Sequence, residues 1–283
     1  LFLERAGRVR AGFSASEQAL AFIGRPCRLV EGLPLGIELA AAATSERSCA
    51  QIATEIQRNL DLLAVSWRDL PERQRSLRAA FEHSWQLLSD LERGVYCRLS
   101  VFQGGFTLEA AQAVAGATLS LLSALLLKSM LRRTAAGRYD LHPLLKQYAA
   151  EKLASNPQEE QEARERHCLA YVDFLRQRDG ALKGEHPKEA LDEIGAEIGN
   201  VRAAWEVAVA QARQEEISAS LETLSRFYDL AGLFQEGETS FGGAAERMLD
   251  VTQEDNQTKG ITGRLLVEQS RFLLRRGLYS RAI

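Results

Sequence analysis

The chain has 283 residues, 46% of them hydrophobic and 26% charged, with a formal net charge of −3. That is an ordinary globular composition, with enough apolar material to bury a core and too little charge bias to imply nucleic acid by itself. At roughly 100–200 residues per domain, the length predicts two or three domains.

The first 152 residues carry four more basic than acidic side chains and the remaining 131 carry seven more acidic than basic. This asymmetry predicts a boundary near residue 153. The chain begins Leu1-Phe2-Leu3 without an initiator Met and stops at Ile283 inside a helical pattern, so it is expected to be a fragment of a longer polypeptide. The longest apolar run, Leu119 to Leu131, falls short of the ~20 residues that span a bilayer and contains Lys128. No signal-peptide pattern opens the chain. The four cysteines (Cys27, Cys49, Cys97, Cys168) form no C-x-x-C pair, which argues against structural zinc and a disulfide framework. A cytoplasmic protein with no membrane contact and four small buried thiols is expected.

In chain order, Ser14 or Ser16 suits the cap of a helix through "EQALAFIGRPCRLV", which Gly32 ends. Pro34 suits the first position of the next helix, "PLGIELAAAA", because its missing N–H is unpaired there in any case. Glu38 in the first turns of that helix is expected to stabilise it through the macrodipole, by ~0.3–1 kcal/mol. A further helix follows in "SCAQIATEIQRNLDLL", with Ile52, Ile56, Leu60 and Leu63 on one stripe.

From residue 76 the pattern changes. Leu77, Phe81, Trp85 and Leu88 mark one helix, and "SDLERGVYCRLSVFQGGF" a second that is expected to stop at Gly104-Gly105. Thr107 caps a short third helix and Leu119 to Lys128 form a fourth. Two short runs then flank "TAAG", where Gly137 supplies the positive φ of a hairpin, and Pro143 opens a closing helix. Helices, one hairpin and a final helix are the order of a winged helix.

Beyond Asn156 the pattern is helical throughout. Gly232-Leu233-Phe234 and Gly277-Leu278-Tyr279 repeat one joint, glycine then apolar then aromatic, 45 residues apart. The recurrence predicts a helix-turn-helix array, with an ordinary bundle as the alternative.

Few residues offer chemistry. No G-x-x-x-x-G-K-[ST] loop and no H-E-x-x-H occurs. His83, His167 and His186 are expected to face solvent. His142 directly precedes Pro143, beside a helix N-terminus that favours anions, so it either caps the helix or meets a phosphate. Lys128, Arg132, Arg133, Arg138 and Lys146 surround the hairpin, but the helix that would enter a DNA groove is almost wholly apolar and offers no Arg, Asn or Gln to read bases. Direct DNA contact is therefore not expected.

The order "LFLERA", "EGLPLGIELAAA", "LRAAFEHSWQLLSDLERGVYCRLSVFQGGFTLEAA", "YDLHPLLKQYAAEKL" resembles the STAND class of signalling ATPases, more narrowly its bacterial NB-ARC-like members. The likeness is strong over residues 1–153 and thinner beyond. It implies a mainly α fold: a helical lid over residues 1–58, a winged helix with one small β-hairpin over 59–153, and a truncated tetratricopeptide-like repeat array over 154–283. The family's Gly-Leu-Pro-Leu motif matches Gly32, Leu33, Pro34 and Leu35, and implies that Pro34 lies against adenine. Its histidine motif matches Leu141-His142-Pro143, and implies that His142 reaches the β-phosphate of ADP. Gly36 stands where the family usually has alanine.

The P-loop and the Mg²⁺-binding acidic strand of the family would precede these parts. The resemblance thus implies a nucleotide-dependent switch whose parent binds ADP or ATP with Mg²⁺, while this piece alone does not hydrolyse ATP. A protein partner or small inducer on the repeats, and an activation-dependent homo-oligomer of the parent, are the implied partners. A repeat scaffold without a nucleotide role is the alternative reading, and a DNA-binding winged helix a weaker one.

Overall fold

The computed structural model describes residues 1–9, 17–30, 34–45, 47–58, 77–184, 187–251 and 256–281. Among them are fourteen α-helices and one antiparallel hairpin, so the fold is mainly α. In chain order these are α1 (Phe2–Val9), α2 (Glu17–Leu29), α3 (Pro34–Ala42), α4 (Cys49–Arg58), α5 (Leu77–Gln86), α6 (Asp90–Leu99), α7 (Leu108–Ala115), α8 (Leu119–Leu127), β1 (Arg132–Arg133), β2 (Tyr139–Asp140), α9 (Pro143–Ala154), α10 (Pro157–Lys183), α11 (Lys188–Ala210), α12 (Gln214–Leu230), α13 (Phe234–Val251) and α14 (Asn256–Arg275). The chain divides into two compact units. One comprises Leu1–Ser100 with Ala117–Pro157, the other Val101–Gly116 with Gln158–Ile283.

Local capping chemistry sets most boundaries in the first unit. Ser48 and Gln51 start α4 with a reciprocal pair: the Ser48 N–H donates to Gln51 Oε1 (2.9 Å) and the Gln51 N–H to Ser48 Oγ (3.3 Å). Ile52 and Ile56 of the expected stripe are buried, whereas Leu60, Leu63, Ser14 and Ser16 lie outside the described residues. Glu38 sits beyond the first turn of α3 and its carboxylate takes a hydrogen bond from Arg5 of α1 (3.0 Å). A tie between helices, rather than the helix dipole, is therefore its role.

Ser89 and Glu92 form a full capping box at the start of α6, and Thr107 and Thr118 cap α7 and α8. The predicted continuation of α6 to Gly104-Gly105 does not occur. The helix ends at Leu99, where the Ser100 hydroxyl donates to the Cys97 carbonyl (2.6 Å). The chain leaves it so that Phe102 and Phe106 stack at 4.4 Å, both buried. The hairpin pairs Arg132 with Asp140 and Arg133 with Tyr139, and Gly137 turns it with φ 76°.

The second unit is a helical array. Four ties join α12 to α14: Gln214 to Thr258, Arg264 to Ser218, Ser225 to Glu268 and Arg271 to Asp229. Residue numbers rise together along both helices, so they run parallel. The Arg202–Glu236 pair and the Arg247 bond to the Ala210 carbonyl join α11 to α13 in the same sense. Each helix thus meets the one after next, which is how stacked helix pairs bury a continuous core. Gly237 permits the close approach of α13 to α14, because a Cβ there would come within 2.9 Å of the Phe272 ring.

Both predicted glycine joints are left-handed, Gly232 at φ 70° and Gly277 at φ 72°. Each closes with the same backbone bond, from Leu233 N–H to the Tyr228 carbonyl (2.9 Å) and from Leu278 N–H to the Leu273 carbonyl (3.0 Å). Ala212 makes a third joint at φ 51°, with Arg213 N–H bonded to the Ala208 carbonyl (2.8 Å). Alanine is strained there, so Ala212→Gly is expected to raise stability by about 1 kcal/mol. A thermal midpoint that stays put or falls would contradict this.

Candidate functional site at the His142 helix cap

His142 ends the strand side of the hairpin and is the N-cap of α9, with Pro143 at the first helical position. Proline cannot donate, so the first free amide of the helix is that of Leu144. It donates to His142 Nδ1 (3.2 Å). The opposite ring nitrogen, Nε2, lies 3.1 Å from the Val30 carbonyl oxygen. These partners fix the tautomer: Nδ1 accepts, and Nε2–H donates to Val30. One half-buried ring therefore bridges the start of α9 and the end of α2, across 112 residues of sequence.

Val30 is fully buried and its own N–H is held by the Pro26 carbonyl (3.0 Å). The segment that follows holds the predicted motif. Gly32 and Leu33 lie outside the described residues; Leu35 lies in the first turn of α3, and Pro34 is its exposed first residue. His142 is thus brought to the residue four positions ahead of Pro34. Gly36, the departure noted above, is buried within α3.

Two cavities flank the cap. One, of about 450 Å³, is lined by Leu29, Ile56, Pro143, Leu144, Lys146 and their neighbours. Burial pushes the Lys146 ammonium below the usual lysine range, with Asp140 opposing the shift. The other, of about 420 Å³, is lined by His142 itself with Ser84, Lys128, Met130 and Arg132. Pro34 lines neither cavity.

The basic hairpin is largely engaged with itself. Arg132 pairs with Asp140 (2.6 Å), and Arg133 lies over the Tyr139 ring and donates to the Gly137 carbonyl (3.3 Å). Helix α8 exposes Leu119, Ser120, Ser123 and Leu127 and buries Leu122 and Leu125.

The other histidines fall out differently. His83 is exposed, as expected, and His186 lies outside the described residues. His167 was expected at the surface among charged neighbours, yet it is buried, packed edge-on to Phe102 and 3.3 Å from Asn200 Oδ1. The aromatic partner is 65 positions away, which no local pattern reveals. The four cysteines are free; Cys97 and Cys168 are buried, Cys27 and Cys49 half-buried.

No family model matches the chain, and no solved structure matches it. Curated relatives do. Proteins of Mycobacterium bovis and Mycobacterium tuberculosis that carry provisional names as HTH-type transcriptional regulators are 34% identical over 218 residues, covering 72% of this chain and 24% of theirs. An uncharacterized protein of Mycobacterium tuberculosis is 36% identical over 168 residues, covering 55% of this chain and 42% of its own. The chain therefore spans about a quarter of the named regulators. Among the described residues, no single helix is long and apolar enough to cross a membrane.

Proposed function

We propose that this chain is the lid, winged-helix and sensor-array portion of a nucleotide-dependent STAND-type switch that regulates transcription. The observation that carries the reading is the His142 bridge. A histidine at the N-terminus of α9 binds the backbone just ahead of the Pro34 motif, so one side chain links the two segments to which the family resemblance assigns ADP contacts. The names of the mycobacterial relatives support a regulatory role.

The residues fit the phosphate end of ADP better than the adenine end. Helix α9 presents its N-terminus, with the half-buried cation Lys146 nearby, and both favour an anion. His142 would hold a phosphate by redirecting its Nε2–H away from Val30, because Nδ1 is committed to the helix cap. Pro34 is exposed and free to meet a base, but no described cavity is formed on it. The winged helix acts in this reading through protein contacts, since the exposed positions of α8 are leucines and serines. ADP and, in the parent, Mg²⁺ are the implied ligands, and the P-loop that would hold them belongs to the parent.

In the full-length protein, His142→Ala should lower stability by about 1–2 kcal/mol through the lost cap and bridge. It should also weaken ADP retention about tenfold, a loss equivalent to ~1.4 kcal/mol, and raise basal transcriptional output. His142→Asn keeps a good capping residue and separates the two effects. Unchanged ADP occupancy in both variants would overturn the reading.

A further inference from the structure

The groove between α12 and α14 encloses about 580 Å³ and is lined by Arg226, Arg264 and Arg271 together with Glu222 and Glu268. Its carboxylates are already engaged. Glu222 pairs with Lys183 (2.8 Å), and Glu268 with Arg271 (3.3 Å) and the Ser225 hydroxyl. Arg271 also holds Asp229 (2.6 Å). Two arginines remain uncompensated. Arg264 reaches a neutral partner, Ser218 Oγ (2.9 Å), and among the described residues Arg226 has no hydrogen-bond or ion-pair partner. The Arg226 Nε is moreover buried, and a buried donor on a charged group is costly to leave unpaired.

The facing wall is built open. Gly260 and Gly263 both lie inside α14 and both line the groove. A Cβ at either would meet nothing within 4 Å, so packing does not demand glycine, and helix propensity opposes it. Gly237 of α13 differs, since a Cβ there would come within 2.9 Å of the Phe272 ring. The α14 glycines instead keep space clear beside an arginine that lacks a counter-charge.

We propose that this groove binds a small ligand bearing an oxyanion, a carboxylate or a phosphate, with Arg226 and Arg264 as its cationic partners. A guanidinium offers such a group two parallel N–H donors. The ligand's role as the array's input rests on the sensor reading above; its binding does not.

The test is calorimetric titration of the 283-residue chain with citrate and with inorganic phosphate at constant ionic strength. One of the two should saturate a single site in the millimolar range or below, that is, ~4 kcal/mol or more of binding. Preference for citrate assigns the carboxylate chemistry, and preference for phosphate the other. Arg226→Gln should weaken binding by at least about tenfold. Gly263→Glu fills the groove with a negative charge and should abolish binding without disturbing the fold, since nothing lies in its path. Failure of both probes to saturate, or wild-type binding by both variants, overturns the proposal. No nucleotide is present in this titration, so a null result here leaves the ADP response of His142 standing, and failure of that response leaves this titration valid.

Discussion

Replacing Asn200 by alanine is expected to cost about 2–4 kcal/mol. Its side-chain amide is fully used. Oδ1 accepts from the Gln103 N–H (2.6 Å) and from His167 Nε2 (3.3 Å), while Nδ2 donates to Glu197 Oε2 (2.8 Å) and the Gly105 carbonyl (3.2 Å). Asn200, Glu197 and His167 are buried, the bonds to Gln103 and Gly105 are part-buried, and Glu197 Oε2 also accepts from the Tyr171 hydroxyl (2.9 Å). Alanine would remove four hydrogen bonds of this cluster at once. Asn200→Asp should be at least as damaging, because it sets a second carboxylate beside Glu197.

The same residues explain Gly199, where a Cβ would collide with the Gln103 carbonyl oxygen. The turn at Gln103–Gly105 is thus pressed against α11 and held by the next residue in line. Urea unfolding measures the stability loss. Amide exchange over residues 101–116 should accelerate by about a hundredfold, reporting the detached segment. A loss under about 1 kcal/mol would mean that water satisfies the cluster and that the amide is not its keystone.

The parts of this structure legible in the sequence are those decided within a few residues. Thr107 caps its helix, Gly137 turns the hairpin and Pro143 opens α9, because each choice depends on one side chain and the adjacent backbone. His142 was equally legible as a residue beside a helix N-terminus. Its second bond was not, since Val30 lies 112 positions away and offers only a backbone carbonyl, which has no sequence signature. His167 misled for a related reason. Arg164, Glu165 and Arg166 precede it, but successive helical residues point in different directions, and its own direction leads to Phe102, Tyr171 and Asn200. The Ala212 joint carries no glycine to mark it, because an alanine occupies the left-handed region there. The groove at Arg226 arises only when α12 and α14 stack, so no local pattern announces it.

Glu92 is expected to carry much of the acid sensitivity of the first unit. Its carboxylate accepts from Lys128 Nζ at 2.7 Å and 2.8 Å and from the Ser89 N–H (2.6 Å) and hydroxyl (2.8 Å). Lys128 caps the end of α8 and also donates to the Leu87 carbonyl (3.0 Å), so this one cluster ties the start of α6 to the end of α8. The hydrogen bond from Lys128, seconded by the Ser89 backbone and opposed by burial, lowers the Glu92 carboxyl to about 2. The unfolded carboxyl titrates near 4.5. A folded-state value below the unfolded one means stabilisation that is complete above the unfolded pKa and disappears as pH falls through the folded one. The shift corresponds to roughly 3 kcal/mol, lost between about pH 4.5 and pH 2. Glu92→Gln retains an acceptor for the cap but cannot ionise, so its stability should fall at pH 7 and converge on the wild type near pH 2. Glu92→Ala also leaves Lys128 without its carboxylate and should cost about 2–3 kcal/mol at pH 7. Urea unfolding of the three proteins at pH 7, 4 and 2.5 resolves the difference. Parallel pH profiles for wild type and Glu92→Gln would show that other carboxylates carry the acid sensitivity and that the α6–α8 tie is incidental to it.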